Sequence, residues 1–256
     1  MAVVGWSNGA TILNNCLAEQ ASSHTQGRNL YGADAAVSIA CPLNMPLASG
    51  NLKRWFHSNV YDRSIARSLS TKIAEWKHLF LNAEGASKPV PAWEGLGPGK
   101  TFVADESVLT GNLRTIREID EAITRRCFGF DTVGEHMHPP PHMTHVSSSS
   151  YDTYRRCFGF DTVDEYYRHA SSDQRLNLID VPCMMINAVD DPIAYLGPSA
   201  GNLLLPAALK TNDKLCLVLT QQGGHLGWCD DEEPWKSPKW IECITLQFLE
   251  KTLARA

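Results

Sequence analysis

The β-branched pair Val3-Val4 runs straight into Gly5-Trp6-Ser7-Asn8-Gly9, and from Gly9 to about Ser23 apolar residues return at helical spacing (Ile12, Leu13, Cys16, Leu17). A chain that must pass from strand to helix within five residues has few options. The turn has to be tight, and glycine two residues either side of the serine relieves the crowding that such a turn creates. G-x-S-x-G alone is a weak pattern, matching by chance in roughly 0.09 of chains of this length. Its position between an apolar β run and a helical run gives it weight, because that context leaves the serine exposed at the top of a strand.

Three further segments read as buried strands: Ala35 to Ala40, Val181 to Val189 and Leu215 to Thr220. Continuous apolar strands separated by helical stretches imply a parallel sheet covered on both faces. The closing segment, Trp240 to Leu253, spaces Ile241, Ile244, Phe248 and Leu249 as one apolar helix face for that sheet. About 140 residues between the second and third strands are mainly helical in pattern, at Leu52 to Leu81, Gly111 to Arg126 and Thr162 to Asn177, with a Gly/Pro-rich loop at Gly85 to Gly99. The expected organisation is a strand-helix-strand core at 1-50, a helical cap insertion at 51-178 and a second core portion at 179-256. Caps of this kind shape a substrate pocket.

The insertion carries a duplication: Arg125-Arg-Cys-Phe-Gly-Phe-Asp-Thr-Val133 recurs letter for letter at Arg155 to Val163. Between the copies, 134-154 is low-complexity and reads as a disordered surface loop. Its histidines, His136, His138, His142 and His145, offer a third and minor reading as a metal-binding tract, which the interleaved prolines oppose.

A net charge of -5, with no basic run by letter, disfavours a nucleic-acid partner. The longest apolar stretches are too short to span a membrane, and the first residues lack the basic and hydrophobic regions of a signal peptide. A cytoplasmic protein is expected. The eight cysteines, at 16, 41, 127, 157, 183, 216, 229 and 243, contain no C-x-x-C pair and read mostly as buried reduced thiols.

A serine hydroxyl needs a base to become a nucleophile, so an acid and a histidine should follow in the order Ser, Asp, His. The third strand ends in Asp190-Asp191-Pro192 and the fourth runs into Gln221-Gln-Gly-Gly-His225-Leu-Gly-Trp228, both at strand C-terminal ends where open α/β sheets place their sites. Ser7 is then the expected nucleophile, His225 the base and Asp191 the acid. Asp190 is a capping partner or the alternative acid, and the Asn8 N–H is an oxyanion donor at the helix N-terminus. No metal or organic cofactor is expected.

At these residues the chain resembles a known family. Gly5-Trp-Ser-Asn-Gly-Ala-Thr-Ile-Leu13, Phe158-Gly-Phe-Asp-Thr-Val-Asp-Glu-Tyr-Tyr-Arg-His-Ala-Ser-Ser172, Asn187-Ala-Val-Asp-Asp-Pro-Ile193 and Gly223-Gly-His-Leu-Gly227 together look like the YheT-like group of α/β-hydrolases, which includes the embryogenesis-associated plant esterases and the ABHD acylglycerol and phospholipid hydrolases. The resemblance implies carboxylic ester hydrolysis, with acyl esters or glycerolipids as substrates, acyl transfer to alcohols as a related activity, and the same Ser7, Asp191 and His225 roles. Two departures stand out. Ala10 replaces a second glycine after the elbow. Only six residues precede Ser7, where the family has over a hundred. The expected fold class is therefore a partial α/β-hydrolase, with a parallel sheet of four strands flanked by helices and a large helical cap. The first strands, the second oxyanion donor and any N-terminal membrane anchor are absent from it. That predicts weak or absent turnover; the alternative is a non-catalytic lipid-binding pseudo-hydrolase. With such an anchor elsewhere, membrane association would follow, and peripheral membrane contact is compatible with a lipid substrate.

Overall fold

The computed structural model describes residues 1–24, 31–82, 84, 88–91, 101–103, 113–124, 162–198, 203–228 and 239–254. In chain order the main elements are β1 (Ala2–Trp6), α1 (Asn8–His24), β2 (Ala35–Ile39), α2 (Met45–Leu52), α3 (Arg63–Trp76), β3 (Pro89–Pro91), β4 (Thr101–Val103), α4 (Val163–Ala170), β5 (Cys183–Ala188), β6 (Leu215–Thr220) and α5 (Trp240–Leu253). They fall into two compact units, Met1–Leu52 with Ala170–Ala256, and Lys53–His169.

The first unit is an α/β structure built on a four-stranded, all-parallel sheet of order β1-β2-β5-β6. Alternation along the strands sorts side chains into two layers, as a pleat requires. Ala36, Cys183 and Met185 face a core closed by Ala10, Leu13, Leu17 and Ala18 of α1, with Leu176 and Ile179. Val37, Ile39, Met184 and Ile186 face the other core, closed by Ile241 with Ile244, Phe248 and Leu249 of α5. Every residue of β2 and β5 is buried, whereas β1 and β6 form the margins and are partly exposed. Truncating a central side chain such as Ile186 to alanine would cost about 2–5 kcal/mol.

Several local expectations need correcting. Ile12 is 58% exposed and Cys16 only half-buried. Leu13 and Leu17 are buried as expected, and Ala10 and Ala18 complete the buried face of α1, where small side chains let the helix lie close to the strands. Among the described cysteines Cys41 and Cys183 are buried, but Cys216 and Cys243 are exposed, on the sheet margin and on α5. Burial pushes the Cys41 thiol up and the Cys183 thiol up to about 12, so both remain neutral.

In the second unit the helical run from Trp55 passes through a π turn at Ser58–Asp62 into α3. Asp62 is buried and accepts the Ile116 N–H at 2.7 Å, which anchors a short helix at Ile116–Ile119. Asp120 accepts from the Tyr167 hydroxyl at 2.7 Å and the Thr124 hydroxyl at 2.8 Å. Burial, the larger influence, holds its carboxyl above the usual range despite those bonds. The segment read as a Gly/Pro-rich loop instead contributes β3, which pairs antiparallel with β4. Pro89 and Pro91 are tolerated because a two-stranded ribbon is all edge. The helix expected to reach Asn177 ends at Ala170, where Ser172 and Asp173 donate their N–H groups to the Leu43 carbonyl and the Ser171 hydroxyl accepts from Met45 N–H. The duplication, except for Thr162 and Val163, the loop with its four histidines, and Cys127, Cys157 and Cys229 lie outside the described residues.

Candidate active site

Ser7 sits between β1 and α1 with φ +51°, a left-handed conformation that costs a non-glycine residue about 1–3 kcal/mol. Its neighbours hold it there. The Ser7 N–H donates to the Ile39 carbonyl at 2.9 Å, and the Ser7 carbonyl accepts from Ala10 N–H at 3.0 Å, which starts α1. A Cβ on Gly5 would lie 2.8 Å from both the Ala10 Cα and the Gly9 carbonyl oxygen, so the strand can carry only glycine there. Gly9 is different: a Cβ there would meet nothing within 4 Å. The steric demand on the turn is therefore one-sided. Asn8 is the first residue of α1, where N–H groups lack intrahelical acceptors and the helix dipole favours negative charge.

Sheet register brings the other two segments level. Ala188 pairs with Thr220, so the Asp190-Asp191 turn and the Gly223-to-Trp228 loop leave adjacent strand ends together. Asp191 Oδ2 lies 2.8 Å from His225 Nδ1, and His225 Nε2 lies 2.7 Å from Ser7 Oγ. The carboxylate can only accept, so Nδ1 carries the proton and Nε2 is left to accept the Ser7 hydroxyl. The Asp191 side chain is fully buried, and its other oxygen accepts the Ile193 and Ala194 N–H groups at 2.8 and 2.9 Å. Those bonds satisfy a charge that burial would otherwise penalise. Asp190 has a different partner. Its Oδ1 accepts the Gly224 N–H at 2.8 Å and so ties the histidine loop to the neighbouring strand end.

Ser7 follows β1 and His225 follows β6, the two opposite margins. At about 4.8 Å per strand the gap is roughly 14 Å, and the loop after β6 has to be shaped to cross it. Gly223 (φ +153°), Gly224 (φ +52°) and Leu226 (φ +74°) supply unusual backbone angles, and Gly227 N–H closes the loop onto the Gly223 carbonyl at 2.8 Å. Trp228, which sequence reasoning gave no role, braces it. The indole is buried, donates to the Thr220 hydroxyl at 2.8 Å, and occupies the space where a Gly223 Cβ would fall, 2.3 Å from Nε1. A glycine-rich loop closing on tryptophan was the available signal. Below the serine, Asn14 Nδ2 reaches Cys41 Sγ at 3.3 Å and Ser172 Oγ at 3.4 Å, which fastens α1 to the turn after β2. Among the described residues no cluster of three or more His, Cys, Asp or Glu is arranged to hold a metal ion.

With that geometry established, the likeness to known proteins is informative. The chain is 28% identical over 250 residues to the embryogenesis-associated protein EMB8 of Picea glauca, covering 96% of this chain and 41% of that protein. It is 26% identical over 247 residues to an abhydrolase domain-containing protein of Dictyostelium discoideum, covering 95% and 46%. Over nearly its whole length the chain is similar to abhydrolase-domain proteins, and its parallel sheet flanked by helices is an α/β-hydrolase-like fold. The chain is also 25% identical over 245 residues to medium-chain fatty acid ethyl ester synthase/esterase 2 of Saccharomyces cerevisiae, covering 94% and 45%. It spans less than half the length of these three relatives. Searched against protein-family profiles, it matches none.

Proposed function

We propose that this chain carries the chemical machinery of a serine ester hydrolase. The supporting observation is the unbroken hydrogen-bonded line from the buried Asp191 through His225 to a strained Ser7. In this reading Ser7 Oγ attacks the acyl carbon while His225 Nε2 takes its proton. The oxyanion that forms is held by the Asn8 N–H, and the imidazolium is stabilised by Asp191. The proton passes to the departing alkoxide, leaving an acyl-serine. Water, activated by the same imidazole, releases the acid; an alcohol in place of water would yield a new ester.

Carboxylic esters with an acyl chain, glycerolipids among them, are the proposed substrates, in keeping with the yeast relative whose name specifies medium-chain fatty acid ethyl esters. Such esters are drawn from lipid surfaces as well as from solution. Each hydrogen-bond donor to the oxyanion, the Asn8 N–H among them, contributes about 3 kcal/mol, or roughly 10²-fold in rate. Hydrolysis of p-nitrophenyl octanoate by the purified 256-residue chain tests the reading. Turnover that disappears in Ser7→Ala supports it, and turnover that survives that substitution, or binding of the ester by folded protein with no release of p-nitrophenol, contradicts it.

A further inference from the structure

Charge is segregated in this chain. Residues 53–79 contain six of its 23 basic residues and two of its 28 acidic ones, a net +4 in a molecule of net -5, which leaves -9 on the rest. All six basic side chains are exposed. Of the two acids, Asp62 is buried on the Ile116 N–H, and Glu75 is bonded to Lys72 at 3.0 Å.

The same run exposes an unusual amount of apolar surface. Trp55 is 80% exposed, Trp76 55% and Phe56 54%, and Val60, Leu69 and Leu79 are exposed as well. These are six of the sixteen large exposed apolar residues among those described, gathered along one succession of helical turns from Trp55 to Leu79. The unit's own interior is served by a different line of the helix, through Asp62, Ala66 and Ser70, which faces the Leu113–Ile116 segment.

The chemistry of the set selects its partner. Leaving Trp and Leu in water is unfavourable by about 25 cal/mol per Å². Protein interfaces enrich Trp, Phe and Arg but deplete lysine, and Lys53, Lys72 and Lys77 are half of the basic residues here; nucleic acids have no use for Val60, Leu69 and Leu79, which neither stack on bases nor meet phosphates. Indole rings combined with aliphatic side chains, abundant Lys/Arg and almost no free carboxylate suit the boundary between anionic headgroups and acyl chains. Among the described residues no helix is long and apolar enough to cross a membrane, so such contact would be peripheral.

We propose that the helical run Trp55–Leu79 is a membrane-interface surface for anionic phospholipid, with Trp55, Phe56 and Trp76 entering the acyl boundary and Arg54, Arg63 and Lys77 meeting headgroup phosphates. The surface involves none of the residues around Ser7. It would bring a lipid-ester hydrolase to its substrate, but its binding stands or falls independently of that chemistry.

The test is co-flotation of the full chain with phosphatidylcholine vesicles containing 30% phosphatidylglycerol. Binding is expected at low salt, at least ten-fold weaker on pure phosphatidylcholine and largely lost at 0.5 M salt. The Trp55→Ser/Trp76→Ser pair should weaken it by roughly ten- to a hundred-fold. Arg54→Gln/Lys77→Gln should weaken it by about five-fold per charge removed, equivalent to about 1 kcal/mol each. Leu246→Ser on α5 and Lys210→Gln, exposed but elsewhere, should leave it unchanged, and circular dichroism should report native helix in every variant. Ser7→Ala should bind as well as the unaltered chain, so loss of ester turnover would not be mistaken for loss of membrane contact. Three results would overturn the proposal. They are absence of flotation, equal flotation by the tryptophan pair variant, and occupation of this face by single-stranded RNA or by a second copy of the chain in preference to vesicles.

Discussion

Gly223→Ala is the substitution that most sharply examines how the histidine is held. A methyl group at 223 would fall 2.3 Å from Trp228 Nε1 and 2.7 Å from Cδ1 and Cε2, and the backbone there has φ +153°. To reach ordinary contact the indole must move by about 1 Å, which breaks its 2.8 Å bond to the Thr220 hydroxyl and loosens its packing in the core beside Ile241. Leaving a buried donor unsatisfied costs about 1–3 kcal/mol, and forcing alanine into that backbone region costs about 1–3 kcal/mol more. The total, about 2–6 kcal/mol, can be met by global destabilisation or by opening of the loop alone. If global, it corresponds to roughly 4–24 °C in Tm for a chain of this size. If local, Tm moves little and His225 leaves Ser7, so kcat falls at least ten-fold. Gly224→Ala is the control. Its Cβ would touch nothing within 4 Å, and only the strain of φ +52° applies, about 1–3 kcal/mol with no loss of the indole's hydrogen bond. Thermal unfolding and p-nitrophenyl ester turnover of both variants make the comparison. Should Gly224→Ala be as damaging as Gly223→Ala, the bracing role of Trp228 would be refuted.

The two glycines of the serine turn should separate in the same way. Gly5→Ala is expected to cost 3 kcal/mol or more, on the order of a severe core defect, because it collides with backbone, whereas Gly9→Ala should be neutral or slightly stabilising by thermal unfolding. Asp190→Ala removes the acceptor of the Gly224 N–H and should lower kcat by about five-fold with KM unchanged, and Asp190→Asn, which keeps an acceptor oxygen, should restore most of it. Equal losses in both would show that charge, not the hydrogen bond, is what matters. Asp120 gives a pH prediction. Its folded-state carboxyl titrates above the unfolded value, so folded protein binds the proton more readily; the resulting stability is fully present below about pH 4 and is lost as pH rises through the folded value. Thermal unfolding of Asp120→Asn between pH 4 and 7 should lack that part of the decline, and an unchanged slope would assign it elsewhere.

The sheet was legible because its strands are short apolar runs bounded by turn residues. Leu215–Thr220 has the expected bounds, and the others differ by one or two residues at their ends. Pairwise register was not legible, and it decides the site: only the Ala188–Thr220 pairing sets the aspartate turn level with the histidine loop. The division of labour between Asp190 and Asp191 could not be read from Asp-Asp-Pro for the same reason, since each finds its partner 34 residues on. Periodicity misassigned Ile12 because α1 lies close against the strands through alanines, which count little on an apolar scale. β3 and β4 escaped notice because a two-stranded ribbon with prolines has no apolar alternation to detect. The basic, aromatic run at 53–79 was hidden by averaging over a chain of net charge -5, and the exposure of its tryptophans could not be read from the letters.

The central claim is that Ser7 is an activated nucleophile in this chain. Labelling with a fluorophosphonate, mapped by mass spectrometry, tests it without depending on substrate choice or rapid turnover. The account predicts a phosphonylated Ser7 in the unaltered chain, at least a hundred-fold slower labelling in His225→Ala and Asp191→Asn with native circular dichroism retained, and none in Ser7→Ala. Folded protein that leaves Ser7 unmodified, or that labels it equally fast without His225, would contradict it.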